Sequence, residues 1–168
     1  MDMFAALQRT ISPSGGQMSP VVSHAPEKIG RYFLEDLEIG MRAEFEREVT
    51  EPMGEEFAAV TGDRNPLHFD KDYARGTIFK DRIAHGMISA GFFSTLFGVV
   101  MPGQGSIYLK QNLKFTAPVR YGDVVKAVIE VVKIETEKSR VLFATRCLVN
   151  EQLVIDGDAL IMVPSRPL

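Results

Sequence analysis

One cysteine in 168 residues, Cys147, leaves the chain without any possible internal disulfide and fits a reducing compartment. Clustered basic charge is missing as well: 19 Lys and Arg stand against 22 Asp and Glu, a net charge of −3, and no stripe concentrates the cations. Nucleic-acid binders need such clusters to neutralise phosphates, so that class of partner is excluded. A bilayer crossing takes about 20 predominantly apolar residues. The most apolar run, Met87 to Met101, has 15 and is interrupted by Ser89, Ser94 and Thr95, so it reads as a buried helix. The N-terminus lacks the basic region and sustained apolar stretch of a secretory signal. Asp2, and the absence of basic residues between Arg9 and Lys28, argue against a mitochondrial presequence. The expectation is a soluble, cytoplasmic protein with no membrane contact. Metal signatures are absent: there is no Cys-x-x-Cys or His-Glu-x-x-His, and His68, His85 and Cys147 are not closely paired. No Gly-x-Gly-x-x-Gly or phosphate-binding loop is present, so nucleotide cofactors held in those ways are not indicated. A Gly-x-Ser-x-Gly nucleophile is absent too.

The chain is 45% hydrophobic and 24% charged, which suits one globular domain with a sizeable core. Residues 1–30, with Ser12-Pro13-Ser14-Gly15-Gly16, Ser19-Pro20 and Ala25-Pro26, read as a flexible N-terminal extension. His24 belongs to that tail. Residues 31–168 read as a single domain. Phe33, Leu37, Ile39 and Gly40 suggest an extended entry with a turn, and Phe45 and Val49 a strand. Thr50 is placed to cap a helix with Pro52 in its first turn and Glu55 and Glu56 near its positive end. Met53, Phe57 and Val60, at i, i+4 and i+7, give that helix an apolar face, and Gly62 ends it.

A stiff loop follows, Asp63-Arg64-Asn65-Pro66-Leu67-His68, because Pro66 fixes its own φ and restricts Asn65. Asp70 is placed to cap a single turn bearing Tyr73. The Met87–Met101 run, apolar nearly all round, predicts a helix buried on every side and broken at Gly103 and Gly105. From Ser106 the period becomes two: Ile107, Leu109, Leu113 and Phe115 should share a buried strand face. Strands over Val124–Ile134, Val141–Val149 and Leu153–Val163 complete a meander, with a bulge expected at Gly157. This order gives an α+β layout in which an antiparallel sheet wraps one helix.

Two features carry chemistry. Asp63 and His68 put a carboxylate and an imidazole five positions apart on a rigid loop, and an imidazole can give or take a proton near neutrality. Taken alone, their spacing favours a turn Asp that caps backbone amides and a His satisfied by its neighbours. His85-Gly86 opens the apolar helix. A glycine there lets a substrate carbonyl approach a backbone N–H at the positive helix end, as in an oxyanion hole, or serves simply as a small cap. Ser94, inside the apolar helix, is expected to bond the Ala90 carbonyl.

Three stretches in order, Phe57 through His68 (Phe-Ala-Ala-Val-Thr-Gly-Asp-Arg-Asn-Pro-Leu-His), His85-Gly86-Met87, and Gly103 through Leu109 (Gly-Gln-Gly-Ser-Ile-Tyr-Leu), resemble the MaoC-like, (R)-specific enoyl-CoA hydratase family over roughly residues 45–163. The resemblance implies a hot-dog fold, a long central helix wrapped by an antiparallel sheet, and a homodimer or a higher oligomer built from it. It implies reversible hydration of a trans-2-enoyl-CoA to the (R)-3-hydroxyacyl-CoA, with the acyl-CoA as substrate and no cofactor. The family's catalytic Asp and His fall on Asp63 and His68, and the carbonyl-binding N–H on Gly86. Ser94 matches an acyl-pocket position in relatives, Phe97 one turn on would shorten that pocket, and Asn65 and His85 are further pocket candidates. Within the same class, a dehydratase of a branched or dicarboxylic acyl-CoA, or of an acyl carrier protein thioester, is the alternative. A thioesterase would give no reason for the His-Gly pair, and a non-catalytic acyl-CoA-binding module has no need for both Asp63 and His68.

Overall fold

A computed structural model describes residues 21–22 and 29–167. The linker-like reading of residues 1–30 falls almost wholly outside the described residues. Six strands form one sheet: β1 (Val21–Val22), β2 (Arg42–Glu48), β3 (Ile107–Phe115), β4 (Val124–Glu135), β5 (Arg140–Val149) and β6 (Gln152–Met162), in the order β1-β2-β4-β5-β6-β3. Every pairing is antiparallel except that of β1 on β2. The helices are α1 (Glu51–Thr61), the single turns α2 (Pro66–Phe69) and α3 (Lys71–Arg75), and α4 (Gly86–Thr95), which runs on as a wider π-type turn over Leu96–Val100. The sheet curls around α4, as the hot-dog fold requires.

Alternation explains the sheet. Val125, Ala127, Ile129 and Val131 of β4 are all buried while their neighbours point outward. Against them α4 and its continuation bring Phe93, Leu96 and Phe97, and Phe97 meets Phe143 of β5 edge-on at 5.0 Å between centroids. Burying each such side chain contributes about 1.5–3 kcal/mol.

Several expectations are corrected. The entry segment is not extended throughout: Leu34–Asp36 forms a 3₁₀ turn, with Asp36 accepting from the Phe33 N–H at 2.9 Å. In α1 the buried residues are Gly54 and Ala58, and Val60 is 87% exposed. The close approach of α1 to Tyr121 accounts for this, since a Cβ on Gly54 would meet the Tyr121 ring and hydroxyl. The central helix is not buried on all sides: Met87, Gly91, Ser94 and Gly98 form one exposed line along it, and Ser94 is a surface residue. The bulkier side chains of this helix are turned towards the sheet. Among the described residues β3 is an edge strand paired only with β6, and Ile107, Leu109 and Phe115 stay largely exposed. Gly157 is not bulged. It keeps register with Leu113 and Thr145, and the register shifts lie at Tyr108/Lys110, Val131/Lys133 and Cys147/Leu148.

Candidate active site

Helix α1 stops at Gly62, whose φ of 81° is left-handed and whose N–H returns to the Ala58 carbonyl. The chain then turns sharply under local hydrogen bonds. Thr61 Oγ1 donates to the Phe57 carbonyl at 2.7 Å and accepts from the Asp63 N–H at 3.3 Å. Asp63 Oδ1 accepts from the Asn65 N–H at 3.2 Å, and Asn65 Oδ1 from the Leu67 N–H at 3.0 Å. Asn65 is thus the N-cap of α2, with Pro66 at the first helical position where no N–H is needed. What the sequence suggested as a plain loop contains this single helical turn, and the turn is what lifts His68 inward. His68 is buried, while Asp63 stays half-exposed at the rim.

Two imidazoles meet here. His68 and His85 stack with ring centroids 3.7 Å apart and planes at 30°. His68 Nδ1 lies 2.9 Å from the Ile83 carbonyl oxygen, and His85 Nε2 lies 3.0 Å from the Asp63 carbonyl oxygen. A backbone carbonyl only accepts, so each of those nitrogens carries the proton. In the neutral rings, His68 therefore keeps a lone pair on Nε2 and His85 keeps one on Nδ1. Burial holds the His85 imidazole below its ordinary range. The Asp63 carbonyl opposes that shift, the neighbouring His68 adds to it, and the Asp63 carboxylate opposes it more weakly. Ligand-capable atoms of Asp63, His68 and His85 all fall within 4.8 Å of one another, so among the described residues these three could hold a metal ion. Two of their nitrogens are already committed to carbonyls.

Beside the pair opens a cavity of about 380 Å³, with His68 and Gly86 in its lining and Phe79, Ile83, Val119 and Ile155 among its apolar walls. Gly86 is the first residue of α4, so its N–H has no intrahelical acceptor and stands at the positive end of the helix dipole. Phe115, at the end of β3, closes over Gly86: a Cβ there would lie 2.7 Å from the Phe115 ring. Cys147 takes no part, since it is buried and its thiol is pushed up to about 12.

Of the residues singled out by sequence, Asp63, His68, His85 and Gly86 are brought together. Asn65 is turned to capping α2, and neither it nor His85, Ser94 or Phe97 lines the described cavity. Phe97 sits in the core between Tyr108 and Phe143. Three contributors were not foreseen. The Ile83 carbonyl orients His68 through a backbone atom that no residue type announces. Phe115 covers Gly86 from a strand 29 residues away. Arg120 donates to the Phe79 and Arg82 carbonyls at 2.9 and 3.4 Å and so ties down the loop that leads to His85.

A single helix inside a curled antiparallel sheet, with an imidazole and a free helix-terminal N–H on one apolar cavity and a carboxylate beside that imidazole, defines a hot-dog protein of the hydratase and dehydratase class. Residues 35–152 match the family described as MaoC like domain, and the chain belongs to that family. It is 46% identical over 135 residues to an (R)-specific enoyl-CoA hydratase of Rhodospirillum rubrum, covering 80% of this chain and 94% of that one. It is 42% identical over 134 residues to a 3-hydroxybutyryl-CoA dehydratase of Methylorubrum extorquens, covering 80% and 85%. An R-hydratase from Pseudomonas aeruginosa, solved unliganded, superposes with a TM-score of 0.77 at 44% identity, covering 83% of this chain and 90% of that one.

Proposed function

We propose that the protein is an (R)-specific enoyl-CoA hydratase, adding water reversibly across a trans-2-enoyl-CoA to give the (R)-3-hydroxyacyl-CoA, and that Asp63, His68 and Gly86 carry the reaction. The observation that supports this most is the His68 hydrogen bond to the Ile83 carbonyl, at 2.9 Å, on the wall of an apolar cavity. It leaves Nε2 as a proton acceptor at the cavity. A water held between His68 Nε2 and the Asp63 carboxylate gives its proton to Nε2 as its oxygen bonds to Cβ. The π electrons move to Cα and the thioester oxygen, and the Gly86 N–H, at the positive end of α4, stabilises that enolate. The proton on Nε2 then passes to Cα, which restores the carbonyl and the neutral imidazole. Hydroxyl and hydrogen arrive from one side of the substrate, so the addition is syn. Run backwards, the same steps dehydrate.

CoA is the expected handle. The exposed line Met87, Gly91, Ser94 and Gly98 and the open edge of β3 support a homodimer. Among the described residues no helix is long and apolar enough to cross a membrane, and a cytoplasmic location remains part of the proposal.

The test follows loss of the enoyl absorbance of crotonyl-CoA. Asp63→Asn and His68→Gln should each lower kcat by about 10²–10⁴-fold while leaving the thermal unfolding midpoint near that of the unmodified protein. Full activity in either variant would remove that residue from the mechanism, and release of free CoA thiol would indicate a thioesterase instead.

A further inference from the structure

Asp63 is anchored in two different ways. Its N–H and Oδ1 are held locally, by Thr61 Oγ1 and the Asn65 N–H. Its carbonyl oxygen is held by His85 Nε2 from 22 positions along the chain, at 3.0 Å. His85 is the residue immediately before Gly86, so this bond spans from the carboxylate loop to the start of α4. The His85 ring lies 97% buried (3% exposed), stacked on His68 and flanked by Phe57 and Phe69 at centroid distances of 4.9 and 5.7 Å. Its Nδ1 is buried with no hydrogen-bond partner among the described residues. A fold rarely keeps an orphaned polar atom of that kind without a use for the rest of the side chain. A phenyl ring would fill the same slot with no unpaired atom, so packing alone does not account for an imidazole here.

We propose that His85 is a positioning residue of the hydration reaction. Its Nε2–H holds the Asp63 peptide so that the carboxylate stays in register with His68 and with the Gly86 N–H. The role rests on the hydratase reading above. It differs from that of a pocket wall: His85 does not line the cavity and acts on the substrate only through Asp63 and His68. The reaction needs a water placed between Asp63 and His68 within a fraction of an ångström, and displacements of about 1 Å cost on the order of 10²-fold in rate. Stacking supplies the second constraint, since the His85 ring backs His68 and sets the plane in which Nε2 points.

Two measurements on the full-length protein decide it. Nitrogen-15 NMR of the unmodified chain reads the ring tautomers without reference to activity. His85 should be neutral at pH 7.5 with its proton on Nε2, in slow exchange, and a proton on Nδ1 or a charged ring would overturn the proposal. Kinetics with crotonyl-CoA then separate donor from ring. His85→Phe keeps the stack without the donor and should lower kcat by about 10²-fold with KM within about twofold. His85→Gln restores an N–H within reach of the Asp63 carbonyl and should recover kcat to within about tenfold of the unmodified protein. Equal impairment of the two variants, full kcat in His85→Phe, or an effect confined to KM would each overturn it. If His85→Phe does not fold, the tautomer and His85→Gln still decide. An unmodified protein that fails to hydrate any enoyl-CoA would sink the hydratase reading, while the ring tautomer would still show whether the Asp63 tie exists.

Discussion

Gly86 answers to two neighbours at once. Its N–H must stay open to a carbonyl, and its Cα must leave room for the Phe115 ring, which a Cβ would approach to 2.7 Å. Gly86→Ala should therefore act by displacing Phe115 into the space the substrate carbonyl needs. The expected result is a kcat lower by roughly 10²-fold, about what removal of one oxyanion donor costs, measured with crotonyl-CoA. Phe115→Ala in the same chain should return part of the loss, because it removes the group that is displaced. His85 gives a second expectation at this scale. An imidazole ordinarily titrates near 6.5, and burial holds His85 below that in the folded protein. The unfolded chain then binds a proton that the folded one refuses, so stability falls as pH drops below about 6.5 and is unaffected by this group above it. His85→Phe lacks that component. Its unfolding midpoint should fall less steeply than that of the unmodified protein between pH 6.5 and 5, by calorimetry.

At the scale of elements, Gly157 in β6 leaves no room for a side chain. A Cβ there would run into the Asn112 carbonyl of β3 and meet Thr145 Oγ1 of β5 at 3.3 Å. Gly157→Ala must either push β3 away or distort β6, and should lower stability by about 1–3 kcal/mol in urea titrations. The bulge expected at that same glycine does not form: what the residue makes room for is the next strand's backbone, which one-dimensional spacing does not reveal. Element positions were legible. Val124–Ile134 was expected as a strand and β4 runs Val124–Glu135. The helix expected to begin after Thr50 and end at Gly62 is α1, Glu51–Thr61. These depend on local propensity, capping and period, which a sequence carries directly. Faces were less legible, as Val60, Ser94 and β3 show, because burial depends on what lies opposite. Within the site, the contiguous motif around Asp63 and His68 was visible. The stacking of His85 on His68 and the role of the Ile83 carbonyl were not, since both arise from the return of the chain through residues 71–85.

For the whole molecule, the exposed surface points to a second copy. Ile107, Leu109 and Phe115 on β3 and Met87 on α4 are between 40% and 52% exposed, an amount of open apolar surface that favours assembly over a free monomer. Light scattering should give at least twice the 18.7 kDa chain mass. Ser94→Glu, on the exposed line of α4, should shift that value towards the monomer, and an unmodified protein that is monomeric at micromolar concentration would sink the dimer expectation.

The sheet order leaves one more consequence. β2 and β3 lie far apart in it, and the chain travels from one to the other through the whole stretch that holds Asp63, His68, His85 and Gly86. The proton chemistry thus occupies one continuous crossing segment, whereas Phe115, Val119, Val154 and Ile155, from strand ends and the turn after β3, set part of the cavity's shape. Substrate range is consequently written in two parts of the gene, a first that it shares with the reaction through Phe79, Ile83 and Met87, and a second that holds no proton chemistry. A lineage can resize the cavity by changing the second part while passing the first on unaltered.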